Sequence, residues 1–261
     1  MEIKVLKQKD NLLVLNIKNT DEVFVNTLRR AIITEVPTFA VKNVKFTKNS
    51  SALFDEMISH RLGLLSLTTD LKTYNLLEEC SCKGAGCAKC QSIITLSAEG
   101  PLTVYASDLK FKDQNIKTIH GNTPIVKLLK GQELEIEAVA SLGKGKQHAK
   151  YVPANVWYKG YPQIKLGNVK NAEEVAKECP VDVYELKGKT LSVKDNLACI
   201  LCGACVDIAD PKGSVEVTPS SKDIIFYIES FGKLDPKEML EKALDILDEK
   251  LEDFAKAIKK A

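Results

Sequence analysis

The residues of this sequence best placed to do chemistry are its eight cysteines, which fall into two sets of four. Cys199, Cys202 and Cys205 are spaced C-x2-C-x2-C. Three thiolates at that spacing wrap one corner of an iron–sulfur cubane. The fourth ligand of such a loop normally follows as x3-C-P, but Ala209 and Asp210 stand there instead. A Cys-Pro pair occurs upstream, at Cys179-Pro180. In modules that carry two clusters, the Cys of each C-P ligates the other cluster. Cys179 is therefore the expected fourth ligand for the trio. Counting back from Cys179 puts a first trio at Val169, Ala172 and Val175, none of them cysteine. One site is complete and the other lacks all its ligands together. The expected cofactor is a single [4Fe–4S] cluster at Cys179, Cys199, Cys202 and Cys205, with [3Fe–4S], one iron fewer, as the alternative.

The second set, Cys80, Cys82, Cys87 and Cys90, is spaced C-x-C-x4-C-x2-C. Gly84 and Gly86 let the chain turn tightly enough for four sulfurs to converge. Four thiolates around a tetrahedral Zn²⁺ leave no open position, so such a site is structural. Two disulfides or an unoccupied loop are the alternatives. Two tetrathiolate sites use every cysteine, and disulfides are disfavoured in a reducing cytosol.

Little else has catalytic spacing. His60 has no spaced partner and reads as structural. Gly143-Lys144-Gly145-Lys146 lacks the G-x4-G-K-[ST] pattern of a phosphate loop, so Lys144, Lys146, His148 and Lys150 read as a charged loop. No D-x-D occurs to gather two metals for phosphoryl transfer. The formal net charge of +2 gives no bulk attraction for nucleic acid. Met1–Asp10 alternates charged and apolar residues, unlike a signal peptide. Apolar runs such as Leu62–Leu65 are too short to span a bilayer. A cytoplasmic chain with no membrane partner is expected.

The elements that must position these cysteines can be read from periodicity. Glu2–Leu6 and Leu12–Lys18 read as a hairpin. A helix capped at Thr20 or Asp21 runs to about Glu35, burying Phe24, Leu28, Ala31 and Ile32, with Arg29 and Arg30 off that stripe. Phe39–Thr47 reads as a strand and Ser51–Leu67 as a helix. Ile93–Ala98, Leu102–Tyr105 and Glu133–Ala140 read as strands. Pro153 and Pro162 split the next region into a strand around Val156–Lys159 and another near Ile164. Around the cysteine trio come a short helix, Glu173–Lys177, and short strands at Leu191–Val193 and Val215–Val217, an order that is ferredoxin-like. A strand at Asp223–Glu229 follows. Asp235-Pro236-Lys237-Glu238 then opens a helix of roughly 25 residues. Its stripe of Leu240, Ala243, Leu244, Leu247, Leu251, Phe254 and Ile258 is longer than a small domain needs, which points to packing against another chain.

Four segments carry a family resemblance. Val25-Asn-Thr-Leu-Arg-Arg-Ala-Ile-Ile-Thr-Glu-Val-Pro37, Ser51-Ala-Leu-Phe-Asp-Glu-Met-Ile-Ser-His-Arg-Leu-Gly-Leu-Leu65, Gly143–Lys150 and Phe231–Glu238 are similar to signatures of one polymerase family. The sequence resembles the D subunits of archaeal RNA polymerase. That family is the counterpart of the bacterial α subunit's N-terminal region and of the third-largest subunit of eukaryotic polymerase II. Cys80–Cys90 occupy the position of a zinc loop in the eukaryotic relative.

The resemblance implies an α+β fold: an α-like dimerisation domain with an inserted mainly-β domain and an inserted ferredoxin-like Fe–S domain. The implied boundaries are 1–38, 151–168 and 212–261 for the dimerisation domain, 39–150 for the first insert and 169–211 for the second. It also implies a heterodimer with subunit L through the long helix and the first helix (Phe24, Leu28, Arg29, Arg30, Leu240, Leu244, Leu247, Leu251, Phe254). With subunits N and P, that heterodimer is the platform for the large catalytic subunits. The chain itself is expected to hold no catalytic residue and to meet DNA only indirectly. A ferredoxin-like electron-transfer protein is the competing expectation, and an Fe–S enzyme with an open iron site a third.

Overall fold

The computed structural model describes residues 1–260. In chain order the elements are β1 (Glu2–Lys9), β2 (Leu12–Lys18), α1 (Glu22–Glu35), β3 (Pro37–Asn49), α2 (Asp55–Gly63), β4 (Gln91–Glu99), β5 (Leu102–Tyr105), β6 (Lys110–Phe111), β7 (Pro124–Leu128) and β8 (Glu133–Lys144). There follow β9 (Ala154–Leu166), α3 (Ala172–Glu178), β10 (Tyr184–Lys187), β11 (Thr190–Val193), α4 (Ala204–Ile208), β12 (Val215–Ser230) and α5 (Pro236–Ile258). The chain divides into two compact units, one of residues 1–7, 14–26 and 157–227, the other of residues 8–13, 27–156 and 228–261.

The first unit holds most of a four-stranded sheet in the order β1-β2-β12-β9. β2 is buried along Leu13–Ile17 and apolar there except at Asn16, whereas β1 at the sheet edge is largely exposed. β9 runs unbroken through Pro162, where two short strands were expected. The reason is position: β9 is the other edge strand, and an edge tolerates a residue without an N–H. β12 likewise absorbs Pro219, joining two expected strands into one of 16 residues. Opposite it stands Gly160, where a Cβ would meet the Pro219 Cβ at 2.7 Å. The Ser220 hydroxyl accepts the Asp223 N–H at 3.0 Å and stabilises the local bend. Between β9 and β12 the chain makes a small α/β module in which α3 and α4 accompany the β10–β11 hairpin. β10 is a strand that periodicity alone did not reveal, being four residues long with only Tyr184 buried.

α1 starts where Asp21 accepts the Phe24 N–H at 2.8 Å. Its buried positions are Val25, Leu28, Ala31 and Ile32, and Phe24 stands at 36 % exposure. The expected stripe is thus corrected by one position at its start: Val25, at i−3 from Leu28, lies inward, and Phe24 lies on the flank.

The second unit is built on an antiparallel sheet in the order β3-β8-β4-β6, with a β5–β7 pair beside it. β8 pairs with both neighbours over most of its length. Phe39, Ile58, Leu62, Leu67, Ile94, Ile125, Leu128 and Leu134 lead its apolar core. α2 is shorter than expected, nine residues against Ser51–Leu67, and buries only Ile58, Leu62 and Gly63. Leu65 and Leu67 still reach the core, but from the chain after the helix. Phe54 and Met57 are exposed.

α5 begins as its sequence requires. Asp235 accepts the N–H groups of Lys237 and Glu238 at 2.8 and 3.4 Å, with Pro236 in the first turn. At 1.5 Å per residue it extends about 35 Å. Glu35, at the end of α1, receives Lys250 of α5 at 2.8 Å and Lys146 at 3.2 Å. Burial alone raises the Glu35 pKa. The hydrogen bonds and charges of Lys250 and Lys146 together outweigh it and hold the carboxyl below its ordinary value.

Candidate metal centres

The loop between α2 and β4 makes two tight turns that aim four sulfurs at one point. Lys83 N–H bonds the Cys80 carbonyl at 2.9 Å, and Cys90 N–H bonds the Cys87 carbonyl at 3.0 Å. Gly84 and Gly86 take φ of +83° and +87°, which L side chains avoid. At Gly86 a Cβ would also strike the Gln91 amide at 2.7 Å. The Sγ–Sγ separations are 3.6 Å for Cys80–Cys87, 3.6 Å for Cys82–Cys90 and 3.8 Å for Cys87–Cys90. All four sulfurs lie within 4.8 Å of one another and can hold a metal ion. The pKa of the Cys82 thiol is lowered to about 6, chiefly by its hydrogen bond with Cys80. Burial above all pushes Cys90 up to about 12. Four thiols this close cannot all ionise in each other's field without a cation.

The other four cysteines come from three places in the first unit and line one small pocket together with Val181, Val183 and Tyr184. Cys179 ends α3, Cys199 and Cys202 lie on the loop before α4, and Cys205 is in α4's first turn. The loop takes left-handed backbone at Leu201 (φ 59°) and Gly203 (φ 80°). Three backbone or side-chain donors reach the sulfurs. Val183 N–H approaches Cys179 Sγ at 3.4 Å, Leu201 N–H approaches Cys199 Sγ at 3.5 Å, and the Tyr184 hydroxyl approaches Cys205 Sγ at 3.2 Å. Burial, then the Cys205 sulfur, keeps the Tyr184 hydroxyl protonated. Lys159 of β9 donates to the carbonyls of Leu197 and Cys199, each at 2.7 Å, and fastens the loop to the sheet. Tyr184 and Lys159 were not among the expected site residues. Neither stands at a motif position, so spacing carried no signal for them.

Val169, Ala172, Val175 and Ala209, where a second cluster's ligands would stand, all join one buried apolar cluster. That cluster also contains Cys199 and Cys205. Side-chain packing fills the place those four ligands would need.

Of the residues expected at a partner surface, Leu244, Leu251 and Phe254 are exposed, at 43, 65 and 65 %. Leu240 and Leu247 are half-buried, Arg29 is half-buried and Arg30 exposed. Leu28 is 3 % exposed and belongs to the chain's own interior, which corrects its place in that set. No helix among the described residues is long and apolar enough to cross a membrane.

Most of the bulged antiparallel sheet and the whole four-cysteine loop lie in a stretch that matches a known family. Residues 44–155 match the family model of the RNA polymerase Rpb3/RpoA insert domain. Three curated relatives are similar over nearly the whole length. The DNA-directed RNA polymerase subunit Rpo3 of Archaeoglobus fulgidus is 38 % identical over 98 % of this chain and 97 % of its own. That of Methanosphaera stadtmanae is 36 % identical over 97 % of each chain. That of Pyrococcus furiosus is 35 % identical over 100 % of this chain and 98 % of its own. The chain belongs to the archaeal family of DNA-directed RNA polymerase subunit Rpo3.

Proposed function

We propose that the chain is a non-catalytic assembly subunit of DNA-directed RNA polymerase. It pairs with subunit L and, with the small subunits N and P, carries the large catalytic subunits. It meets DNA only through them, and it works in the cytoplasm without a membrane partner. Its dimerisation domain comprises 1–38, 151–168 and 212–261, interrupted by the inserts 39–150 and 169–211.

The observation that carries this reading is the second face of α5. Met239, Ala243 and Ile246 face inward and are buried, at 0, 0 and 7 % exposure. Beside them runs a separate apolar stripe of Leu240, Leu244, Leu247, Leu251, Phe254 and Ile258. Its spacing alternates four and three, the seam of a helix that packs on another helix. Four of its six members are exposed, from 43 to 65 %. Phe24, Arg29 and Arg30 of α1 complete the proposed interface. The test is co-expression with subunit L from the same organism, followed by measurement of complex mass. The expected product is a one-to-one heterodimer. A chain that stays monomeric and fully folded in the presence of L sinks the reading.

The sulfur spacings support different metals at the two sites. A tetrahedron with 2.3 Å metal–sulfur arms has edges of about 3.8 Å, near the separations at Cys80, Cys82, Cys87 and Cys90. That site is assigned structural Zn²⁺. Cys179, Cys199, Cys202 and Cys205 form no such close group among the described residues. Wider spacing around one cavity suits a [4Fe–4S] cluster, in which each thiolate binds its own iron. The cluster supplies a rigid core that ties α3 to the α4 loop. Tyr184 and the Val183 and Leu201 amides would bear on its cysteine ligands. Anaerobic purification should yield iron and acid-labile sulfide in equal amounts, together with zinc. An electron-relay role is disfavoured by the apolar packing of Val169, Ala172, Val175 and Ala209.

A further inference from the structure

The Gly143–Lys150 segment is absorbed by neither metal centre, yet it helps build a charged groove in the second unit. Lys42 is the extra residue of a bulge in β3. Val41 pairs with Ala140 and Asn43 with Val139, which leaves Lys42 opposite nothing. Bulges of this kind re-aim a side chain. Lys42, His148 and Lys150 line two adjoining hollows together. Among the described residues no carboxylate lies within 4.0 Å of the Lys42 or Lys150 ammonium. Lys150 donates to the Val41 carbonyl at 2.8 Å, a neutral acceptor. His148 Nδ1 accepts the Lys150 N–H at 3.0 Å, so in the neutral ring the proton sits on Nε2, as a further donor. Burial, then the Lys42 charge, lowers the Lys150 pKa, the mark of a cation without its counter-ion.

Lys144 and Lys146 also line the groove but are engaged by Glu35. Glu78 is the single acid on the lining. The walls are apolar at Leu76, Leu77 and Tyr151. A nucleic-acid backbone wants an open basic track. A groove with leucine walls and a few uncompensated cations matches a peptide instead, one that offers carboxylates between apolar side chains.

We propose that Lys42, His148 and Lys150 form a docking site for an acidic, partly apolar segment of another RNA polymerase subunit. The inference rests on the polymerase-subunit reading. It is tested on the full chain assembled with the other polymerase subunits of its organism. Carbodiimide treatment, which joins an amine to a carboxylate at zero length, should give a cross-link from Lys42 to an Asp or Glu of one partner subunit, identified by mass spectrometry. Lys42→Glu, at an exposed position, should weaken the binding of that subunit about tenfold. Lys127→Glu, exposed on β7, should leave it unchanged. Cross-links from Lys42 only to Glu78, or photo-cross-links from the groove to DNA, overturn the proposal. So does wild-type affinity of a Lys42→Glu chain that still assembles. A chain that joins no polymerase subunit overturns the polymerase reading itself.

Discussion

The Tyr184 hydroxyl donates a hydrogen bond to the Cys205 sulfur at 3.2 Å inside a buried apolar cluster. A donor on a cluster thiolate draws off negative charge and favours the more reduced state. Tyr184→Phe keeps the ring and removes only that donor. The expected result is full iron and sulfide content with a lower reduction potential. A difference of about 1 kcal/mol between oxidation states corresponds to roughly 40 mV for one electron. A redox titration followed by electron paramagnetic resonance reads the shift. An unchanged potential in a fully loaded variant would refute the assigned role of Tyr184.

The two cysteine sets lie in different compact units, so their losses should separate. Cys202→Ser is expected to lose iron and sulfide and to loosen residues 179–210 toward proteolysis. It should keep its zinc and its association with subunit L. Cys82→Ser is expected to lose zinc and keep iron. Metal analysis of both variants checks the assignment. If Cys202→Ser abolished heterodimer formation, the cluster module would be integral to the dimer fold rather than an insert. If Cys82→Ser retained zinc, the four-thiolate site would be wrong.

Gly143 and Gly145 gain their meaning from packing rather than from phosphate. A Cβ on Gly145 would stand 2.0 Å from the Ile33 carbonyl oxygen, and one on Gly143 would stand 2.5 Å from the Tyr151 ring. Backbone cannot yield that much cheaply. Gly145→Ala should therefore cost about 2 kcal/mol or more. Lys144→Gln, at the position between them, should cost within about 0.5 kcal/mol. Thermal unfolding of the two variants decides it, and equal melting temperatures would defeat the steric account.

Lys233 is buried and donates to the Lys150 carbonyl, and burial lowers its pKa to about 8. Its ordinary value is 10.5. Between those two values the unfolded chain holds the extra proton, so stability should rise as the pH climbs through about 8. The limiting slope for one such group is about 1.4 kcal/mol per pH unit. In Lys233→Met that contribution is absent. The difference in unfolding free energy between wild type and variant, measured from pH 7 to 10, should therefore move in favour of the wild type. A constant difference across that range would show that Lys233 titrates normally.

Where one physical signal dominated, the sequence was legible. The C-terminal helix announced itself through Asp235, Pro236 and a long stripe, and its start is capped as expected. Spacing alone grouped the cysteines, because ligand geometry leaves few ways to converge four sulfurs. Reading failed where tertiary position overrides a local rule. Pro162 and Pro219 should break strands, but an edge position and Gly160 absorb them. Phe24 lies on the flank of α1 at 36 % exposure, and Val25 takes the inward place. Residues 106–132 carry no periodicity strong enough to mark their strands, since β6 is two residues long and β7 only five. Tyr184 and Lys159 reach the four-cysteine pocket of Cys179–Cys205 across the fold, and nothing local to their sequence marks them.

The clearest separation of folding from assembly lies on α5. Leu251 and Phe254 are each 65 % exposed, so the chain's own core owes them little. Leu251→Asp with Phe254→Asp should leave the melting temperature of the chain alone nearly unchanged. In a heterodimer each side chain would bury most of its surface, worth about 1.5–3 kcal/mol apiece. The double variant should thus bind subunit L at least about a hundredfold more weakly, by titration calorimetry or analytical ultracentrifugation. Met239→Ala should do the reverse, because Met239 is fully buried within the chain. It should cost about 2 kcal/mol or more of stability and leave the seam intact. If the double variant bound L as tightly as wild type, the alternating stripe would be covered by something other than L. The heterodimer would then have to form through α1 or the outer strands.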